Sequence, residues 1–130
     1  MAHYLDTSAL VKLVVAEDET TALQAWLNAE ERNPVSCDLS RAELLRAVRR
    51  AAPDRMVRAR AVLDSLVLIH VPTTIFEAAG RVDPTTLRTL DAIHLAAALD
   101  LGDDLLAIVT YDARLAEAAE ANGVPVLAPS

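Results

Sequence analysis

Ala2-His3-Tyr4-Leu5-Asp6 and Leu105-Leu106-Ala107-Ile108-Val109-Thr110-Tyr111-Asp112 are the two stretches on which the fold turns. Each is a short apolar run that ends on an aspartate or is soon followed by one. Unbroken apolar runs of this length read as strands covered on both faces, the habit of parallel sheets. Two similar runs lie between them. Pro34–Cys37 predicts a second strand, and Leu66–Val71, stopped by Pro72, a third. Leu105–Val109 is then the fourth strand, and Val124–Leu127 a short last one.

Helical patterns fill the gaps. Ser8–Val15 follows the first strand. Asp18-Glu19 opens an amphipathic helix to about Glu31, with Leu23, Trp26 and Leu27 at helical spacing. Ser40 to about Ala51 is helical, with Ala42, Leu45 and Val48 expected on one face. Pro53 breaks that helix, and another runs from Asp54 to about Ser65. Thr74–Val82 follows the third strand. Thr89–Leu101 is a very apolar helix carrying Ile93, Leu95, Ala96 and Leu99, ended by Gly102. A helix opened by Asp112 runs to about Ala121 and is ended by Gly123. Strands alternating with helices predict an α/β fold, with a small, mostly parallel sheet of four to five strands flanked by helices.

The 130 residues suit one domain, 1–130, with one core. Hydrophobic residues make up 53% and aromatics 3%, so that core must be aliphatic. No linker, low-complexity segment or internal repeat is visible. The lone cysteine, Cys37, lies in a predicted strand and has no internal partner, which fits a reducing compartment and a buried, inert thiol. No leader pattern and no bilayer-length apolar run is present, so a soluble, cytoplasmic protein with no membrane partner is expected.

The net charge of −7 argues against simple polyanion binding. Its distribution qualifies that. Residues 41–60 hold seven arginines (Arg41, Arg46, Arg49, Arg50, Arg55, Arg58 and Arg60) against Glu43 and Asp54, a local charge of +5. Such a face is compatible with a nucleic-acid substrate, or with a solvated helix pair whose arginines neighbour acids.

Four acids draw the chemistry. In open parallel sheets, ligands bind beyond the carboxyl ends of the strands. Asp6 ends the first strand, Asp112 lies just past the fourth, and Glu43 sits in the first turn after the second. Topology alone assigns these three to one edge. Asp91, near the start of the apolar helix, joins them if that helix runs antiparallel to the sheet. Each also has a plain structural reading. Asp6 and Asp112 suit helix N-caps, Ser40-x-x-Glu43 is a capping-box pattern, and Asp91 suits a helix dipole. Taken together, clustered carboxylates repel unless a cation neutralises them. An all-oxygen cluster suits a hard ion such as Mg²⁺ or Mn²⁺, and the matching chemistry is phosphodiester hydrolysis.

The motifs also resemble a known family. Tyr4-Leu5-Asp6-Thr7-Ser8-Ala9-Leu10-Val11-Lys12-Leu13 resembles the opening of PIN-domain ribonucleases, closest to the VapC-like toxins of toxin–antitoxin pairs. Ser40-Arg41-Ala42-Glu43-Leu44, Leu90-Asp91-Ala92-Ile93-His94-Leu95-Ala96 and Thr110-Tyr111-Asp112-x-x-Leu115 resemble the second, third and fourth family motifs, and Gly123-Val124-Pro125-Val126 the closing strand. Four motifs in order along essentially the whole chain are far more specific than one. The resemblance implies a PIN-like three-layer fold and endonucleolytic cleavage of RNA at a Mg²⁺ or Mn²⁺ site. Asp6 and Asp91 would be the most direct ligands. Glu43 would complete the site or orient water, and Asp112 would bind a second ion or act through water. Ser8 and Thr110 would support them by hydrogen bonds. A homodimer and an antitoxin whose tail occupies the groove are implied too.

Other residues admit more than one reading. His94, one turn after Asp91, suits a metal ligand or, more simply, a packed and hydrogen-bonded histidine. Lys12 could reach phosphate or be solvated. Arg114 is the better phosphate contact, and Arg49 and Arg50 belong to the basic stretch. Trp26 and Leu27 suit either a partner groove or ordinary packing. His3, His70, Asp38, Glu17-Asp18-Glu19 and Asp103-Asp104 have no assigned chemistry. Competing functions fit less well. The third predicted strand ends on His70-Val71-Pro72, without the aspartate of a receiver domain. Position 8 is serine, where a haloacid-dehalogenase-like phosphatase needs a second aspartate. Asp6-Thr7-Ser8-Ala9 lacks the glycines of a dinucleotide binder. A non-catalytic RNA- or protein-binding module is the remaining alternative.

Overall fold

A computed structural model describes all of residues 1–130. Five strands are present: β1 (Ala2–Leu5), β2 (Pro34–Cys37), β3 (Val67–Ile69), β4 (Leu105–Val109) and β5 (Val126–Leu127). They form one sheet in the order β3-β2-β1-β4-β5. Every pairing is parallel, with Tyr4 beside Val35 and Leu5 beside Val109. The expected small parallel sheet is therefore present, and it is wholly parallel.

Seven helices connect the strands: α1 (Thr7–Lys12), α2 (Thr20–Asn28), α3 (Leu39–Ala51), α4 (Met56–Asp64), α5 (Thr73–Ala79), α6 (Thr89–Leu99) and α7 (Ala113–Ala121). Their placement follows from handedness. Parallel crossovers are right-handed. From β1 to β3 the chain steps in one direction along the sheet, which puts α1 to α4 on one face. From β3 it crosses to the other side of β1 and steps away, which puts α5 to α7 on the opposite face. The core divides accordingly. Leu5, Leu10, Leu23, Leu44, Val48, Leu63 and Val109 form one cluster. Tyr4, Cys37, Ile75, Leu95, Ile108 and Leu115 form the other. Neighbouring residues on one strand, Tyr4 and Leu5 or Ile108 and Val109, serve opposite clusters because strand side chains alternate.

Several boundaries are tighter than the sequence suggests. The third strand is Val67–Ile69 rather than Leu66–Val71, and the last is only Val126–Leu127. The second helix begins at Thr20 and stops at Asn28, and a single 3-10 turn at Pro53–Arg55 precedes α4. Gly102 and Gly123 follow α6 and α7 with φ of 57° and 77°, the left-handed region that glycine tolerates best. The buried face of α3 is Ser40, Leu44 and Val48, whereas Ala42 is exposed.

Candidate active site

The strand order reverses between β1 and β4, so the crevice beyond their carboxyl ends is the topological switch point of the sheet. Asp6 lies there, with only 4% of its surface exposed. Its Oδ1 accepts from Ser8 Oγ at 2.6 Å and from the Ala9 amide at 3.1 Å, and its Oδ2 accepts from Thr110 Oγ1 at 2.7 Å. Asp6 is thus the N-cap of α1 and a buried carboxylate of the switch point at once. Burial raises its pKa, opposed by the hydrogen bonds from Ser8 and Thr110. Ser8 and Thr110 thereby fix the orientation of the carboxylate. Each also accepts a backbone amide: Tyr111 N donates to Ser8 at 2.9 Å, and Asp112 N to Thr110 at 3.0 Å.

Asp112 caps α7, its Oδ1 accepting from the Arg114 and Leu115 amides at 2.9 and 3.3 Å. Its other oxygen faces Arg88, whose Nη2 lies 3.4 Å away, while Arg88 Nε lies 3.3 Å from Asp91 Oδ2. The pKa of Asp91 is raised by burial and by the charge of Asp112, with Arg88 opposing. Asp6, Thr110, Asp112, Arg88 and Asp91 thereby form one continuous polar chain.

Glu43 joins from α3. The capping-box reading does not hold. The cap of α3 is Asp38, without a side-chain bond, and Ser40 Oγ lies instead 2.6 Å from Ser36 Oγ. Glu43 Oε1 accepts from Thr7 Oγ1 at 2.7 Å and lies 2.6 Å from His94 Nε2. His94 Nδ1 is 2.7 Å from the Tyr4 hydroxyl and 3.9 Å from Cys37 Sγ. His94 is therefore the packed, hydrogen-bonded histidine of the simpler reading. Burial disfavours its charge, but hydrogen bonds to Cys37 and Glu43 outweigh this and raise its pKa to about 10. The shorter contact, to a carboxylate, is the charge-assisted one and the stronger cause. Glu43 responds in the other direction, burial notwithstanding, and is lowered by His94 and Thr7. As a cation, His94 also favours the ionised forms of Asp6 and Asp91.

An open cavity of about 320 Å³ lies at this end of the sheet, lined by Glu43, Arg88, Thr89, Leu90 and Asp91. Asp6, Asp91 and Asp112 thus share one polar chain, while Glu43 belongs to a separate network and meets Asp91 only across the cavity. Arg88, Thr7 and Tyr4 went unnoticed in the sequence. Arg88 alone left a local signal there, since it stands three residues before Asp91, an ion-pair spacing on a helix. Lys12 is neither solvated nor free for phosphate. It is buried, 2.7 Å from Glu19 and 3.5 Å from Glu17, with its ammonium 4.7 Å from the centre of the Tyr111 ring. Glu17 and Glu19 thereby acquire a structural role. Arg46, Arg49 and Arg50 line a solvent-facing hollow of their own on α3. Arg114 is exposed and lines a separate cavity of about 560 Å³ with Asp83, Leu87 and Glu117. Trp26 is half-buried, with the Arg32 guanidinium 3.9 Å from its ring centre and His3 edge-on to it.

Comparison with known proteins agrees with this arrangement. Residues 3–121 match the PIN domain. The chain is 45% identical to Ribonuclease VapC46 of Mycobacterium tuberculosis, covering 99% of this chain and 98% of the relative. It is 42% identical to Ribonuclease VapC47 from the same species, covering 97% and 96%. Among solved structures, it resembles M. tuberculosis VapC20, a sarcin–ricin-loop-cleaving toxin, with a TM-score of 0.79, 19% identity, and coverage of 98% of this chain and 100% of that one. A toxin–antitoxin complex from Klebsiella pneumoniae matches with a TM-score of 0.74 and 20% identity, over 99% of this chain and 98% of that one. The chain belongs to the PIN-domain family, and within it to the VapC-like branch. No helix is long and apolar enough to cross a membrane.

Proposed function

We propose that this protein is a Mg²⁺- or Mn²⁺-dependent endoribonuclease, the toxin of a toxin–antitoxin pair, acting through Asp6, Glu43, Asp91 and Asp112. The observation that carries the reading is the gathering of these four carboxylates at the carboxyl end of the sheet, in a chain 42–45% identical to proteins named ribonucleases. Its donor chemistry supports a hard ion, because the acids present only oxygen. No three His, Cys, Asp or Glu side chains converge into a cage of their own. Mg²⁺ is commonly held by one or two carboxylates and retains several waters, so a pair of acids is sufficient to hold it. Asp91 and Asp112 would hold the ion from the open side. Asp6 would face the ion from the buried side through one of its waters, having spent three of about four lone-pair positions on Ser8, Ala9 and Thr110. Bound there, the ion lowers the pKa of a water and offsets charge on the phosphate and leaving oxygen.

The chain's own residues do the rest. Thr7 and His94 fix the Glu43 carboxylate in its ionised form, leaving Oε2 to orient a water. Thr110 ties the positions of Asp6 and Asp112 together through one hydroxyl. Arg49, Arg50 and Arg114, exposed outside the cleft, would contact the RNA backbone, where cations supply affinity rather than sequence choice. An antitoxin partner, a homodimer and a cytoplasmic location belong to the same reading. The toxin–antitoxin complex among the structural neighbours supports the antitoxin partner. The test is cleavage of a structured RNA by the purified protein with Mn²⁺, with EDTA, and after Asp91→Asn. Activity is expected only in the first case. Cleavage that survives excess EDTA would remove the metal from the mechanism, and binding without cleavage under any condition would favour a non-catalytic module.

A further inference from the structure

Arg88 is the one guanidinium in contact with any of the four acids. It spans two of them, placing one nitrogen near Asp91 and another near Asp112, rather than gripping either one bidentately. The contacts, 3.3 and 3.4 Å, are longer than the usual 2.7–2.9 Å of a charge-assisted hydrogen bond. No other side-chain hydrogen bond holds Arg88, and 62% of its side chain is exposed. It occupies the N-cap position of α6 in an extended conformation, φ −65° and ψ 150°, without capping the helix. The carboxylates it joins are much less exposed, at 14% and 24%. An exposed, loosely held cation therefore lies over two largely buried anions that would otherwise repel each other.

We propose that Arg88 is a tethered counter-cation that occupies the place of a divalent ion between Asp91 and Asp112, competes with that ion, and so sets the metal affinity of the open half of the site. This rests on the metal-dependent reading above. The competition is physically even-handed. A guanidinium on its own chain is present at high effective concentration, but its two exposed, long contacts are individually weak. A divalent ion carries twice the charge and brings its own waters. The cavity beside Arg88, Glu43 and Asp91 is about 320 Å³, which gives a hydrated ion room once the side chain swings outward. Arg88 is thus a positioning residue in the metal-free protein and an adjustable one in the loaded protein.

The test is calorimetric titration of Mn²⁺ into metal-stripped wild-type protein, Arg88→Gln and Arg88→Lys, with no RNA present. Removing the guanidinium is expected to tighten Mn²⁺ binding roughly 3- to 10-fold, the range that two weak surface ion pairs can supply. Arg88→Lys, a compact charge that cannot span both acids, is expected to fall between the other two. Equal or weaker Mn²⁺ binding by Arg88→Gln, with the wild type binding well, would overturn the role given to Arg88 and leave the metal reading standing. Absence of Mn²⁺ binding in all three proteins would overturn both.

Discussion

The two halves of the candidate site are held by different physics. On the sheet side, Asp6 is buried and locked by Ser8, Ala9 and Thr110 at 2.6 to 3.1 Å, on strands that cannot shift without disturbing both core clusters. On the α6 side, Asp91 and Asp112 are partly open and share one exposed arginine at 3.3 and 3.4 Å. Both Asp6 and Asp91 have raised pKa values, Asp6 through burial and Asp91 through burial and the neighbouring charge of Asp112. The difference teaches that a fixed anchor and an adjustable clamp can make one site. The anchor supplies geometry, and on the proposed reading the clamp would leave room for an ion and a phosphate.

Substitutions can break that contrast. The largest expected effect is on activity: Asp6→Asn and Asp91→Asn should each lower RNA cleavage on the order of 10²- to 10³-fold, measured in single-turnover assays with Mn²⁺. Stability should separate the pair. In EDTA, Asp6→Ala should cost about 3 kcal/mol in urea unfolding, because it strands buried donors and removes the α1 cap. Asp91→Ala should stay within about 0.5 kcal/mol, since a weak exposed ion pair and a repulsion are lost together. Equal costs would show that the two halves are not differently built.

The bridge from Glu43 to His94 should titrate. His94 has its folded pKa raised from 6.5 to about 10, so its contribution is fully present below pH 6.5 and is lost as pH climbs toward 10. Glu43, lowered, contributes above the ordinary carboxylate range and loses its contribution on acidification. In metal-free protein, His94→Gln should therefore cost about 3 kcal/mol near pH 6 and progressively less toward pH 10. A cost that does not change with pH would place the histidine's value in packing alone. Smaller again is the Lys12 latch. Lys12→Met should cost about 1 kcal/mol, read by urea unfolding, since it leaves Glu19 and Glu17 exposed to water. Outside both halves, Arg49→Glu with Arg50→Glu should leave stability within about 0.5 kcal/mol while weakening RNA binding and flattening its salt dependence. Unchanged affinity would remove the α3 arginines from the RNA path.

Much of this architecture is legible in the sequence. The apolar runs gave the strands because parallel strands are buried on both faces. Asp6 and Asp112, placed at strand ends, could lie nowhere but the carboxyl edge of the sheet. Periodicity placed all seven helices, but their ends, set by local caps and turns, moved by one to a few residues. The face of α3 was misread because Ala42 and Leu45 are locally as plausible as Leu44. Only packing against α1 and α4 chose the rotation that buries Leu44 and Val48.

The sequence by itself determined the fold class, the family resemblance and the identity of the four acids, because these rest on residue type and order. Tertiary structure alone decided what each acid touches. Whether Glu43 caps α3 or meets Thr7 and His94, whether Lys12 meets solvent or Glu19, and whether Asp91 and Asp112 share Arg88 depend on distances between residues far apart in the chain. Those distances are fixed by how the helices pack on the sheet. A one-dimensional pattern names the groups that can bond, and the packed core selects which of them do.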